Sequence, residues 1–244
     1  MHGKKMQYVL FGDQKQLEPF NLIKTLAPIV ISPNKILLNL RIVPSTLTNV
    51  YRCHPAAVDI LSIWAYSGGL TSGRSPDTDY IQSRLPFELF PYGGSRAFHF
   101  IHNNHASVKN AQSRSNPGEA QVVLRYLKEL LACGVHPFSI IVLFSACATE
   151  INPMEQGPTG TDPLEKVKDS SRIHVETDGT EKKVLYISDP SIVLVSLSRA
   201  LHFTTIFGNH HFLSAIPLWK RFFELAKLFK VFFIFASPHF STVL

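Results

Sequence analysis

The chain is predicted to fold as an α/β domain around a largely parallel sheet, and two adjacent stretches carry that prediction. Residues 116–134, "NPGEAQVVLRYLKELLACG", place Ala120, Val123, Leu124, Leu127, Leu130 and Leu131 on one helical face between an Asn-Pro start and a Gly stop. Residues 139–145, "SIIVLFS", follow at once as an unbroken apolar, β-branched run, the pattern of a strand covered on both faces. A helix feeding such a strand is half of a βαβ unit, which implies a mostly parallel sheet with helices on both sides.

The remaining elements follow in chain order. Residues 8–11, "YVLF", read as a short buried strand that stops at Gly12-Asp13, and a polar loop at such a strand end suits a ligand site. Residues 19–27 read as a short helix with Pro19 at its first position, and 29–44 show no clear period. In 55–67 the residues Ala57, Leu61 and Trp64 recur at helical spacing, Pro55 opens the run and Gly68-Gly69 stops it. Residues 72–115 are rich in Ser, Pro, Gly and Asn and read as long loops, with "RAFHFIH" at 96–102 the one strand candidate.

Beyond the polar stretch 150–171, strands are expected at 172–177, 182–188 and 203–209, and an amphipathic helix with an internal Pro217 at 212–227. On β-branched content alone, 191–200 "SIVLVSLSRA" also looks like a strand. The apolar run "VFFIFA" at 231–236 is far short of the roughly 20 residues that span a bilayer, so it reads as a buried or sticky tail rather than a membrane anchor.

A length of 244 residues with 45% apolar and 17% charged composition describes a globular protein. The net charge of +6 is compatible with a polyanionic partner. Three scattered cysteines form no C-x-x-C pair and fit a reducing compartment. The N-terminal apolar run is cut off at Gly12-Asp13, so no signal peptide is read, and the expected location is intracellular, cytoplasmic or nuclear. His102-x-x-His105 and Cys133-x-x-His136 each lack the second pair a four-ligand zinc site needs, and Ser198 with His202 has no acidic partner for hydrolase chemistry. No metal ligands are assigned. Asn116 and Glu119 have the spacing of a capping box.

Three segments recur in the order of a known family. "GDQKQLEP" (12–19), "YRCHP" (51–55) and "VSLSRALHFTTIFGN" (195–209) resemble the third, fourth and sixth motifs of superfamily 1 helicases, nearest the branch that holds the nonsense-mediated-decay RNA helicase. The helix–strand unit 116–145 is similar to the family's link between its fourth and fifth motifs. The resemblance implies a RecA-like fold and makes 191–200 a helix entry.

It also implies ATP as cofactor. Gln16, in a loop with Gly12 and Asp13, would sense the γ-phosphate; Arg52 and Arg199 would be arginine fingers; and Tyr51 would lean on the base. These residue types suit phosphoryl transfer, in which a glutamine orients water and planar guanidinium forks neutralise phosphate oxygens.

The chain also departs from the family pattern. It contains no G-x-x-x-x-G-K-[ST] and no acidic helicase box, so in the family's terms Mg²⁺ would be held by residues missing from this chain. The fifth motif is reduced to "ETDGTEKK", where Glu181 is the candidate ribose contact, and the strand at 139–145 lacks the Pro-Tyr that faces nucleic acid in the family.

The implied division is 1–38 as the end of a first RecA-like domain, 39–226 as the second RecA-like helicase domain, and 227–244 as an atypical apolar tail. The expected function is the carboxyl-terminal motor domain of an ATP-dependent RNA or DNA helicase. Single-stranded RNA or DNA would bind weakly and without sequence preference, and the protein partners of a longer helicase are implied as well; no membrane contact is expected. The alternative is a catalytically inactive helicase remnant that binds nucleic acid or protein.

Overall fold

The computed structural model describes residues 9–17, 31–75, 97–110, 113–134, 187–229 and 232–236. A three-stranded parallel sheet lies at its centre, made of β3 (Phe98–His102), β6 (Thr204–Gly208) and β7 (Phe232–Ala236) in the order β6-β3-β7. The register pairs Phe98 with Thr204 on one side of β3 and with Phe232 on the other. The strands expected at 96–102 and 203–209 are therefore present. The run at 231–236, expected as a tail, contributes β7: a β-prone apolar segment beside β3 finds partners for its N–H and C=O groups in the ladder.

Side chains of β3 alternate between two cores, as a strand period of two requires. Phe98 and Phe100 enter the larger core with Ile206 of β6 and residues of four helices. These are α2 (Pro55–Ala65), α4 (Pro190–Leu197), α5 (His210–Ala215) and α6 (Pro217–Leu228). Ile101 enters the opposite core with Tyr126 and Leu130 of α3 (Pro117–Ala132). Helices thus cover both faces of a parallel sheet, and the fold is α/β of the RecA-like kind.

Each helix begins for a local reason. In α3, Asn116 Oδ1 accepts from the Glu119 N–H at 3.1 Å, Pro117 occupies the first turn, and Glu119 is fully buried. Of the predicted face, Leu131 is only half-buried, while Tyr126 is buried and reaches Thr205 of β6 through its hydroxyl at 2.9 Å. In α2, His54 caps the helix by accepting from the Ala56 N–H at 3.1 Å.

The stretch 191–200 is helical despite its β-branched residues. Asp189 accepts from Ser191 N–H at 2.8 Å and Ile192 N–H at 3.2 Å, and Val193, Leu194 and Leu197 pack into the larger core. Capping and burial override intrinsic propensity here.

Other expectations need correction. Val9, Leu10 and Phe11 form no strand and are exposed, because no strand among the described residues lies beside them to receive their backbone groups. The helix expected over 212–227 is two helices: Pro217 has no N–H and forces Ile216 into extended conformation, with φ −86° and ψ 122°.

Elements also appear where no period is legible. The helix α1 (Pro33–Asn39) is capped by Ser32 and has no buried residue. Strands β4 (Val108–Asn110) and β5 (Ser113–Ser115) form an antiparallel pair within the stretch expected as loops. The short strands β1 (Asn49–Val50) and β2 (Thr71–Ser72) pair in parallel. The predicted helix at 19–27, the strands at 139–145 and 172–177, and most of 182–188 lie outside the described residues.

Candidate functional site

The β1–β2 pair sets up the site. Its parallel register aligns Val50 with Ser72, so the chain leaves both strands side by side, and Arg52 and Arg74 stand two residues beyond each. The Ser72 hydroxyl accepts from the Arg74 N–H at 3.2 Å, which turns the chain at that point. The Arg74 guanidinium then reaches two carbonyls with Nη1, donating to Arg52 O at 3.0 Å and also to Leu201 O. Leu201 belongs to the loop that leaves α4 and carries Arg199.

A second contact joins the same two loops. The Cys53 thiol donates to the carbonyl oxygen of Ser198, the residue that ends α4, at 3.2 Å. Cys53 is only 4% exposed, and burial pushes its thiol up from the ordinary value, outweighing the opposing positive charge of Arg52, Arg74 and Arg199. The thiol is therefore protonated and able to donate. All three guanidinium groups lie near enough to act on this one sulfur, while Arg52 and Arg199 are themselves exposed.

Tyr51 precedes this cluster and is 67% exposed. Its ring lies against Gly73: a Cβ at Gly73 would stand 2.3 Å from Tyr51 Cε1, so only glycine lets the ring approach. The result is an exposed aromatic ring held against the turn that leads into Arg74.

The Gly12–Gln16 loop meets the opposite, carboxyl-terminal end of α2. Asp13 accepts from the Lys15 N–H at 2.9 Å, from Gln16 Nε2 at 2.9 Å and from the hydroxyl of Tyr66, the residue that ends α2. Burial, and then the bond and charge of Asp13, push the Tyr66 hydroxyl well above its usual range. The Cys53 side chain adds a little to that rise. A Cβ on Gly12 would stand 2.0 Å from Asn34 Nδ2, and the loop and the start of α1 line a cleft of about 260 Å³.

The structure thus joins the Arg52 and Arg199 loops through Arg74 and Cys53, sets Tyr51 against Gly73, and places Asp13 and Gln16 with Tyr66 at the other end of α2. Glu181 lies outside the described residues. Arg74 and Tyr66 escape a sequence reading: Arg74 is distinguished by the pairing of two two-residue strands, which leaves no periodic trace.

Chemically, each planar guanidinium fork can hold two oxygens of a phosphate, and an exposed aromatic ring can lie against a planar base. Among the described residues no group of three or more His, Cys, Asp or Glu side chains is placed to hold a metal ion. No helix among them is long and apolar enough to cross a membrane.

Comparison with known proteins places these features in context. A family model described as an AAA domain matches residues 34–188. Regulator of nonsense transcripts 1 of Dictyostelium discoideum is 28% identical over 240 residues, covering 90% of this chain and 18% of that protein. An uncharacterized ATP-dependent helicase of Caenorhabditis elegans is 28% identical over 189 residues, covering 72% of this chain and 12% of that protein. A regulator of nonsense transcripts 1 homolog of Neurospora crassa is 26% identical over 235 residues, covering 88% of this chain and 21% of that protein. The chain spans about a fifth or less of the length of these relatives.

Proposed function

The chain belongs to the AAA domain family and is a domain of superfamily 1 helicase type; from that premise we propose that it is the carboxyl-terminal motor portion of an ATP-dependent helicase. In this reading 39–226 is the second RecA-like domain and 1–38 the end of the first. Arg52 and Arg199 hold the triphosphate oxygens as arginine fingers, Tyr51 lies on the base, and Gln16, steered by Asp13, senses the terminal phosphate. ATP supplies the scissile phosphoanhydride; this chain's residues orient it and neutralise charge.

The observation that carries the reading is the junction of the Arg52 loop with the distant Arg199 loop, made by Arg74 Nη1 on Arg52 O and Leu201 O and by the Cys53 thiol on Ser198 O. Single-stranded RNA or DNA is the proposed polymer, held through its backbone, with support from the relatives' names and the net charge of +6.

The test is calorimetric titration of the purified chain with ATP and with inorganic tripolyphosphate. Arg52→Ala and Arg199→Ala are each expected to weaken both ligands by about tenfold, the value of a lost charge-assisted hydrogen bond. Unchanged affinity in both variants overturns the assignment. Polynucleotide binding is expected to weaken steeply with added salt.

A further inference from the structure

Arg74 belongs to none of the helicase-like segments, yet its side chain touches two of the loops that carry them. Its backbone is fixed from both sides: Gly73 N–H donates to Val50 O at 2.9 Å, and Arg74 N–H donates to the Ser72 hydroxyl at 3.2 Å. From there Nη1 uses one hydrogen on Arg52 O, at 3.0 Å, and the other on Leu201 O. An NH₂ group has two such hydrogens, so a single nitrogen bridges the two backbones. We propose that Arg74 is a positioning residue that holds the Arg52 and Arg199 loops at a fixed separation, so that one polyphosphate meets both guanidinium groups at once.

The inference rests on the phosphate-binding reading given above and adds a requirement to it. Two exposed arginines on independent loops would each lose conformational freedom on binding an anion. A bridge that sets their spacing beforehand removes part of that cost. Arg74 also brings a third positive charge to the cluster, which would push two like-charged arginines apart if the backbone bridge did not restrain them. The bond from Cys53 to Ser198 closes the other side of the same junction, so the thiol reports whether the junction is closed.

The experiment uses the full chain with Arg74→Met, which keeps length and apolar packing but has no donors, and Arg74→Lys, which keeps a cation with several donors. Tripolyphosphate titration and peptide-resolved alkylation of Cys53 by iodoacetamide are measured on both, alongside Arg52→Ala and Arg199→Ala.

The expected result for Arg74→Met is a loss of about tenfold in tripolyphosphate affinity. Cys53 is expected to alkylate several times faster, and Arg74→Lys to recover part of both effects. Added to Arg52→Ala, Arg74→Met is expected to cost little more, because the fork it positions is already gone.

Full additivity of the two substitutions overturns the inference, since Arg74 would then contact the anion directly. Affinity that Arg52→Ala weakens and Arg74→Met leaves intact overturns it while the phosphate reading stands. A wild-type chain that does not bind tripolyphosphate overturns both. If Arg74→Met does not fold, Arg74→Gln, too short to reach both carbonyls, takes its place, and wild-type affinity together with wild-type alkylation in Arg74→Gln overturns the inference.

Discussion

The indole N–H of Trp219 donates to the backbone carbonyl of Ile187 at 2.7 Å, deep in the core and across 32 positions of sequence. This one bond anchors the approach to α4 against α6. Trp219→Phe keeps an aromatic ring but leaves the buried carbonyl without this donor, so unfolding in urea is expected to show a loss of about 1–3 kcal/mol. A midpoint equal to that of the wild type would contradict it.

A larger effect is expected at Phe222. It is fully buried, with its ring edge-on to Phe98 at 5.0 Å and to Trp64 at 5.9 Å between centroids, so it joins β3, α2 and α6. Phe222→Ala is expected to cost about 3–5 kcal/mol through lost burial and a residual cavity, a large share of the stability of a domain this size. Circular dichroism melts of Phe222→Leu and Phe222→Ala should order accordingly, with Leu the milder.

Asn116 works in two directions, accepting from Glu119 N–H at 3.1 Å and donating from Nδ2 to His105 O at 3.1 Å. Asn116→Ala is expected to lose about 0.5–2 kcal/mol. Asn116→Ser retains a cap but not the reach to His105, so its denaturation midpoint should fall between those of the wild type and Ala. A midpoint for Ser below that for Ala would count against the capping role.

Gly73→Ala tests Tyr51 separately from the arginines. The new methyl would meet the Tyr51 ring at 2.3 Å, and since Tyr51 is exposed the ring is expected to swing away with little change in stability. Under the proposed function ATP should then bind more weakly while inorganic tripolyphosphate is unaffected. Equal losses for both ligands would remove the base contact from the proposal.

A pH dependence is built in where β3 and β6 end. His102 Nδ1 accepts from the His210 N–H at 3.0 Å, and the His102 ring lies 5.3 Å from that of His211. Burial and then His211 push His102 below its ordinary value; burial, Lys227, His211 and His102 do the same to His210. In each case the unfolded chain takes up a proton before the folded one. The contribution is therefore complete above about pH 7 and is lost as pH falls through about 6.5 toward the lower folded values. Thermal melts should drop between about pH 7.5 and pH 5.5, and His102→Asn, which keeps an acceptor for His210 N–H, should flatten the curve. An identical slope in that variant would contradict the assignment.

What the sequence made legible follows from how far each feature depends on distant residues. The α3 helix could be read because its face, its Asn116 cap and its Gly134 stop are all local. Arg52 and Arg199 stand in short local motifs, "YRCHP" and "VSLSRALHFTTIFGN", which is why a sequence reading can single them out. Arg74 escapes it, because its importance comes from the pairing of Val50 with Ser72 and from a carbonyl 127 positions away. Helix α4 reversed a propensity reading, since Asp189 and the core decide its backbone and β-branching does not. Helix α1 left no apolar period because none of its residues is buried, although Ser32-Pro33 is a legible start. Val9 to Phe11 failed in the opposite direction: a strand-like composition makes no strand without a partner.

The position of β3 between β6 and β7 also bears on how the chain is made. Roughly 130 residues separate Phe98 from its partner Phe232, and roughly 100 separate it from Thr204. At the usual pace of synthesis, β3 emerges some 10 seconds or more before the second of its neighbours exists. During that interval Phe98 to His102 presents at least one unpaired edge rich in aromatic residues, the kind of segment that pairs with other chains. Slowed translation, or loss of the residues that form β7, would lengthen that exposure, so the yield of soluble protein is expected to fall with any delay in β7.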